Sequence, residues 1–96
     1  MINDNTFNIM PNIKLTDKVS DKFVIFDPVK NRLDKLSQEY YNTPYFGWLI
    51  MLANPEYDYE YDIPSGVVIR VPYPLNDTLN DYQAKLSEYK RQYVNN

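Results

Sequence analysis

Two short β-branched and aromatic runs constrain this chain more than any other feature. Phe23-Val24-Ile25-Phe26 is stopped by Asp27-Pro28, and Val67-Val68-Ile69-Arg70-Val71 is stopped by Pro72 and Pro74. Two strands alone make a marginal sheet in water, so something must cover them. The residues between the runs have to supply that cover. With 96 residues in all, there is room for one small domain and a modest core.

The segment between the runs carries two helical patterns. Asn31 is placed to cap a helix in which Leu33, Leu36 and Tyr40 recur at spacings of three and four. Asn42-Thr43-Pro44 ends it, and Pro44 suits the first turn of the next helix, with Thr43 as its cap. Tyr45 to Ala53 is apolar at nearly every position, which demands burial or a partner. Trp48 is therefore expected to be largely buried, beside Leu49 and Leu52. From the first strand either Phe23 and Ile25 or Val24 and Phe26 would face the helices. From the second, Val67, Ile69 and Val71 share one face. Gly66 is expected to supply a backbone conformation barred to larger residues. Asn54 is expected to satisfy the end of the buried helix through its amide.

Outside this unit lie two extensions. Residues 1–20 are rich in Asn, Asp and Lys, and Asn5, Phe7 and Ile9 read as an extended arm in which Pro11 interrupts any helix. Residues from Asn76 to Val94 read as a helix. Its Leu79, Tyr82, Leu86, Tyr89 and Tyr93 follow at three, four, three, four, a seam narrower than the stripe of an ordinary core helix. The Asp81 to Lys85 spacing is a favourable ion pair, and Lys90 and Arg91 suit the negative end of the helix dipole.

Composition removes several function classes. The chain has no histidine, hence neither the commonest general base nor the commonest zinc ligand. It has no cysteine, so neither a disulfide nor a thiolate site. The net charge of −3 lacks the basic footprint of a nucleic-acid binder. The longest apolar stretch, Trp48 to Ala53, is too short to span a bilayer, and no signal peptide is read at the start. Ten tyrosines stand out, a residue type enriched at protein interfaces.

The order strand, helix, helix, strand resembles a LysM module, and three segments carry the likeness. Arg32-Leu33-Asp34-Lys35-Leu36-Ser37-Gln38-Glu39-Tyr40-Tyr41 looks like the first helix of LysM-like modules in phage tails. Gly47-Trp48-Leu49-Ile50-Met51-Leu52-Ala53-Asn54-Pro55 looks like their second helix, and Ile63-Pro64-Ser65-Gly66-Val67-Val68-Ile69-Arg70-Val71-Pro72 like their closing strand. The resemblance covers about half of the chain and implies an α+β fold. That fold is a LysM-like β-α-α-β unit with two antiparallel strands over residues 21–74, an extended N-terminal arm over 1–20, and a C-terminal amphipathic helix over 75–96.

The resemblance implies two functions. One is a structural component of a phage tail or baseplate, resident in the virion and assembled in the host cytoplasm. Such a component cements neighbouring tail or baseplate proteins, is present in multiple copies, and needs no cofactor. The other is binding of peptidoglycan or another N-acetylglucosamine-containing glycan, with the sugar between the loop after the first strand and the loop after the second helix. Here the first loop, Asp27-Pro28-Val29-Lys30-Asn31, lacks the usual Gly-Asp-Thr. Catalysis has little to rest on: Asp58, Glu60 and Asp62 alternate on a loop with no nucleophile and base beside them. The same carboxylates do not match a calcium loop. The expectation is a non-enzymatic protein without a metal, a nucleic-acid partner or a membrane partner. Its contact residues would be Phe7 and Ile9 of the arm, Tyr57, Tyr59 and Tyr61 of the acidic loop, and Leu79, Tyr82, Leu86, Tyr89 and Tyr93 of the last helix.

Overall fold

The computed structural model describes residues 13–94, with side chains as far as Arg91. In chain order the elements are β1 (Lys22–Ile25), α1 (Leu33–Tyr41), a 3-10 turn (Pro44–Phe46), α2 (Gly47–Ala53), a second 3-10 turn (Glu60–Asp62), β2 (Val68–Val71) and α3 (Leu75–Val94). This is a small α+β fold, a two-stranded antiparallel sheet with three helices.

The strands pair with Val24 opposite Ile69 and Ile25 opposite Val68. Two further bonds extend the ladder at its turn end. The Phe26 N–H donates to the Val67 carbonyl at 2.8 Å, and the Gly66 N–H to the Phe26 carbonyl at 2.8 Å. Gly66 has φ +91°, the left-handed geometry that a side chain resists, as its sequence context suggested. Register resolves which side of β1 is inward. Phe26 is buried and Val24 half-buried, while Phe23 is 67% and Ile25 66% exposed.

The core has two parts. Phe26, Leu33, Leu36, Tyr41, Ile50, Ile63, Ile69 and Val71 pack between the sheet and the first two helices. Leu49 and Ala53, from the same α2, form the second part with Leu15, against Leu52, Leu75, Leu79 and Tyr82. α2 is thus buried on two sides, as a short apolar helix requires. Gly47 lets α2 start close to α1, because a Cβ there would lie 3.1 Å from that of Leu33.

Two expectations are corrected. Trp48 is 40% exposed, because Leu49 and Ile50 occupy the two buried sides of α2. Its indole lies at the rim, 5.1 Å from the ring of Tyr82 and 6.2 Å from that of Phe46. The described part of the N-terminal segment, residues 13–20, is no arm. Ile13 and Leu15 are buried, and polar bonds strap the segment down. The Thr16 N–H and hydroxyl donate to Asp81 at 2.8 and 3.1 Å, and Lys85 donates to the Lys14 carbonyl at 2.5 Å. Lys18 donates to the buried hydroxyl of Thr78 at 3.1 Å, Asp17 pairs with Arg70, and the Tyr73 N–H donates to buried Asp21 at 3.0 Å. Ile13 and Leu15 have slots to fill, which is why the segment docks, while Val19 stays exposed.

That strap is sensitive to acid. Burial works to raise the Asp81 carboxyl. The two bonds from Thr16 and the charge of Lys85 outweigh it and hold the group below the usual carboxylate range. Its folded pKa is below the unfolded one, so its stabilisation is complete above the unfolded value and vanishes as pH falls through the folded value. Asp81→Asn will therefore be less stable than the parent at neutral pH. The gap will close as pH falls through the folded value, measured by urea unfolding across pH.

Candidate functional site

The loops at one end of the sheet enclose an open groove of about 410 Å³, lined by Phe26, Pro28, Arg32, Glu60, Tyr61 and Ile63. Phe26 and Ile63 are its buried floor. Pro28 belongs to a loop tied up by Asp27, whose carboxylate accepts the N–H groups of Val29 at 2.9 Å and Lys30 at 3.3 Å. Those two backbone bonds hold the Asp27 carboxyl below its ordinary range. Arg32 is a charged wall, paired with Asp34 at 2.8 Å; that hydrogen bond raises its already high pKa.

Glu60 forms the opposite wall and has a second task. Its Oε2 accepts the Leu33 N–H at 3.1 Å, so a residue 27 positions away caps α1. The local candidate, Asn31, makes no such bond, and Arg32 stands at the N-cap position without a capping side chain. The acidic end of a helix-dipole interaction is thereby built from the far loop. Removing the carboxylate with Glu60→Ala will cost about 1 kcal/mol, the usual worth of a helix cap. Chemical denaturation reads the loss, and Glu60→Gln will recover part of it.

The acid–tyrosine stretch divides by role. Tyr57 packs against the main core. Tyr59 and Tyr61 are exposed and stack on one another, centroids 5.2 Å apart and planes at 4°. Asp62 turns back to accept the Tyr59 N–H at 3.2 Å, fixing the 3-10 turn. Glu60 and Asp62 thus act within the fold. The arrangement offers a flat aromatic wall, an apolar floor and one charge of each sign. Such a set suits a ligand with both an apolar face and hydroxyl groups, and its volume is in the range of small-molecule sites.

A second surface lies on the outside of the sheet. Phe23, Ile25 and Val68 stand on one face, all strongly exposed, with Ile25 and Val68 directly paired. The alternation of the sequence contained this row but left open which face of β1 was inward.

The seam on α3 is partly internal. Leu79 and Tyr82 pack on the Leu15–Leu49–Ala53 cluster, and Tyr82 meets the Trp48 ring edge-on. These two therefore brace the domain. Leu86 and Tyr89 are half-buried further along the helix. Tyr93 lies beyond the last described side chain, and Phe7 and Ile9 lie outside the described residues. Among the described residues no group of three or more acidic, cysteine or histidine side chains is gathered for a metal. No helix there is long and apolar enough to cross a membrane. No family model, no curated protein and no solved structure matches this chain.

Proposed function

We propose that this chain is a structural, non-enzymatic component of a phage tail or baseplate, with a LysM-like unit at its centre, that cements neighbouring tail proteins. The observation that carries the reading is the amount of large apolar surface left in water. Phe23, Ile25, Val68, Tyr45, Tyr59 and Tyr61 are all exposed on a small domain that already has a filled core. Within that set Phe23, Ile25 and Val68 form one row on the sheet, and apolar surface gathered in this way marks a contact site. Aromatic residues are the usual anchors of such contacts. The β-α-α-β order and the three quoted segments support the LysM likeness. In that frame the compact unit holds geometry while its surfaces bind neighbours. No substrate or cofactor takes part.

The test is the particle itself. In gradient-purified virions of the phage that encodes it, the chain should copurify with tail proteins, and antibody labelling seen by electron microscopy should decorate the tail. A chain that stays with the soluble host fraction overturns the assignment.

One observation favours a second reading. The 410 Å³ groove lies between the loop after β1 and the loop after α2, where LysM modules hold a glycan. Tyr61 would stack on a sugar face, with Arg32 and Glu60 bonding its hydroxyls. Sedimentation with insoluble peptidoglycan or chitin tests this. Binding by the parent that is lost in Tyr61→Ala supports a glycan site, and an unbound parent ends it.

A further inference from the structure

Residues 13–21 are tied to β2, to the β2–α3 junction and to α3, but never main chain to main chain. Among the described residues, the backbone–backbone bond of this segment is internal, from the Asp21 N–H to the Lys18 carbonyl at 3.1 Å. Every tie to the rest of the domain has a side chain at one end. A segment held in this way belongs to the low-stability end of a fold, since local opening is opposed by buried contacts and main-chain bonds.

Aspartates carry most of the ties. Asp81 of α3 accepts the Thr16 N–H at 2.8 Å and the Thr16 hydroxyl at 3.1 Å, with the Lys85 ammonium 3.4 Å away. Against burial, Thr16 and Lys85 hold the Asp81 carboxyl below its ordinary range. Asp21 accepts the Tyr73 N–H and the Lys18 N–H, each at 3.0 Å. It stands 3.6 Å from both the Arg70 Nε and the Lys18 ammonium. The Tyr41 hydroxyl of α1 donates to the Pro72 carbonyl at 2.5 Å, and burial, then the charge of Asp21, push its pKa up, so it stays neutral. Asp17 pairs with the Arg70 guanidinium. Lys14 lies near Arg70 in the cleft beside Ile13 and Leu15.

Arg70 decides the response to acid. Its side chain is only 14% exposed, and among the described residues its Nε is the buried side-chain nitrogen left without a hydrogen bond. Arginine keeps its charge at every accessible pH. With Asp17 and Asp21 protonated, Arg70 would be a buried cation without a counter-charge, a strongly disfavoured state. Moving the segment away returns the guanidinium to water. The main core is built differently: apolar packing, ladder bonds and the neutral Asn54 amide hold β1, β2 and α2 together.

We propose that residues 13–21 are an acid-released latch: protonation of Asp17, Asp21 and Asp81 frees the segment as a unit while the sheet and main core stay folded, and uncovers Leu49, Ala53, Leu79 and Tyr82 between α2 and α3. The carboxylate ties are complete at neutral pH and are lost as pH falls. The device is built from this chain alone, so it does not depend on the tail assignment.

Methyl NMR of the full chain across pH reads the latch and the sheet separately. Contacts from Leu15 to Leu49 and Ala53 report the latch, and contacts between Val24 and Ile69 report the sheet. The proposal expects the Leu15 contacts to vanish, reversibly, at a pH where the Val24–Ile69 contacts remain. Asp17→Asn combined with Asp81→Asn should release the segment at a higher pH than in the parent, with the sheet contacts intact at neutral pH. Asp34→Asn, which breaks an exposed pair with Arg32 outside the segment, should leave the pH of release in place. Loss of both sets of contacts in one transition overturns the latch, as does survival of the Leu15 contacts once the carboxylates are protonated. A double variant that has lost its sheet contacts at neutral pH makes latch and core one unit, and the proposal falls. An Asp34→Asn shift equal to that of the double variant overturns the assignment to these aspartates.

Discussion

Asn54→Ala will lose about 3 to 5 kcal/mol of stability, since each buried polar group left unpaired costs about 1 to 3. Three groups depend on this amide. Its Nδ2 donates to the Ile50 carbonyl at 2.7 Å and to the Arg70 carbonyl at 2.8 Å, and its Oδ1 accepts the Arg70 N–H at 2.9 Å. The side chain ends α2 and closes the edge of β2 at once. Asn54 is itself buried, so water is a poor replacement. Asn54→Asp is expected to be worse than alanine. It keeps the acceptor for Arg70 but turns an oxygen toward two carbonyls. Urea unfolding of both variants checks the order. A small domain has a net stability of only about 5 to 15 kcal/mol, so either variant will approach the unfolding threshold.

Leu49→Ala will cost about 3 kcal/mol or more, within the span for truncating a fully enclosed leucine. Leu49 is wholly buried and joins Leu15 to Ala53, so its loss leaves a cavity between α2, α3 and the N-terminal segment. Trp48→Ala, one residue away, will cost about 2 kcal/mol. The indole loses its edge contact with Tyr82 and part of its covered area, but opens no enclosed space. Thermal melts rank the two variants. Trp48 is also the only tryptophan, so its native fluorescence should be readily quenched by acrylamide. Poor quenching together with a larger loss at Trp48 would reverse the assignment of the two faces of α2.

An exposed, unpaired strand with apolar neighbours invites uncontrolled pairing unless something specific covers it. Only Lys22 stands among the four residues of β1 as a charged guard, and its ammonium lies 4.9 Å above the Tyr73 ring.

Much of the fold is legible from residue order. Both strands, the end of α1 at Asn42, the start of the next turn at Pro44 and the long α3 follow from period, proline and capping signals. Gly66 and Asn54 were readable too, because each answers a local need: a left-handed turn, and an orphan helix end. The remote partners were not readable. Glu60 caps α1 across 27 residues, and Asp81 receives Thr16 across 65, distances at which no local pattern exists. Ser37 is another case. It is fully buried because its hydroxyl donates to the Thr43 carbonyl and accepts the Phe46 N–H at 3.0 Å. The sequence offered Thr43 for that work.

The sequence by itself determined the elements, their order and the chemistry that this chain lacks. Those properties depend on neighbours a few residues away, where helical and strand periods and backbone restrictions act directly. Only the tertiary structure decided which faces are covered. β1 is apolar on both sides and α2 is apolar all round, so their own residues could not choose. Antiparallel register chose Val24 and Phe26 for the interior of the sheet. The docking of residues 13–20 and of α3 chose Leu49 over Trp48. Burial is decided by competition among all apolar surfaces for a limited interior, and that competition is settled only when the whole chain has packed.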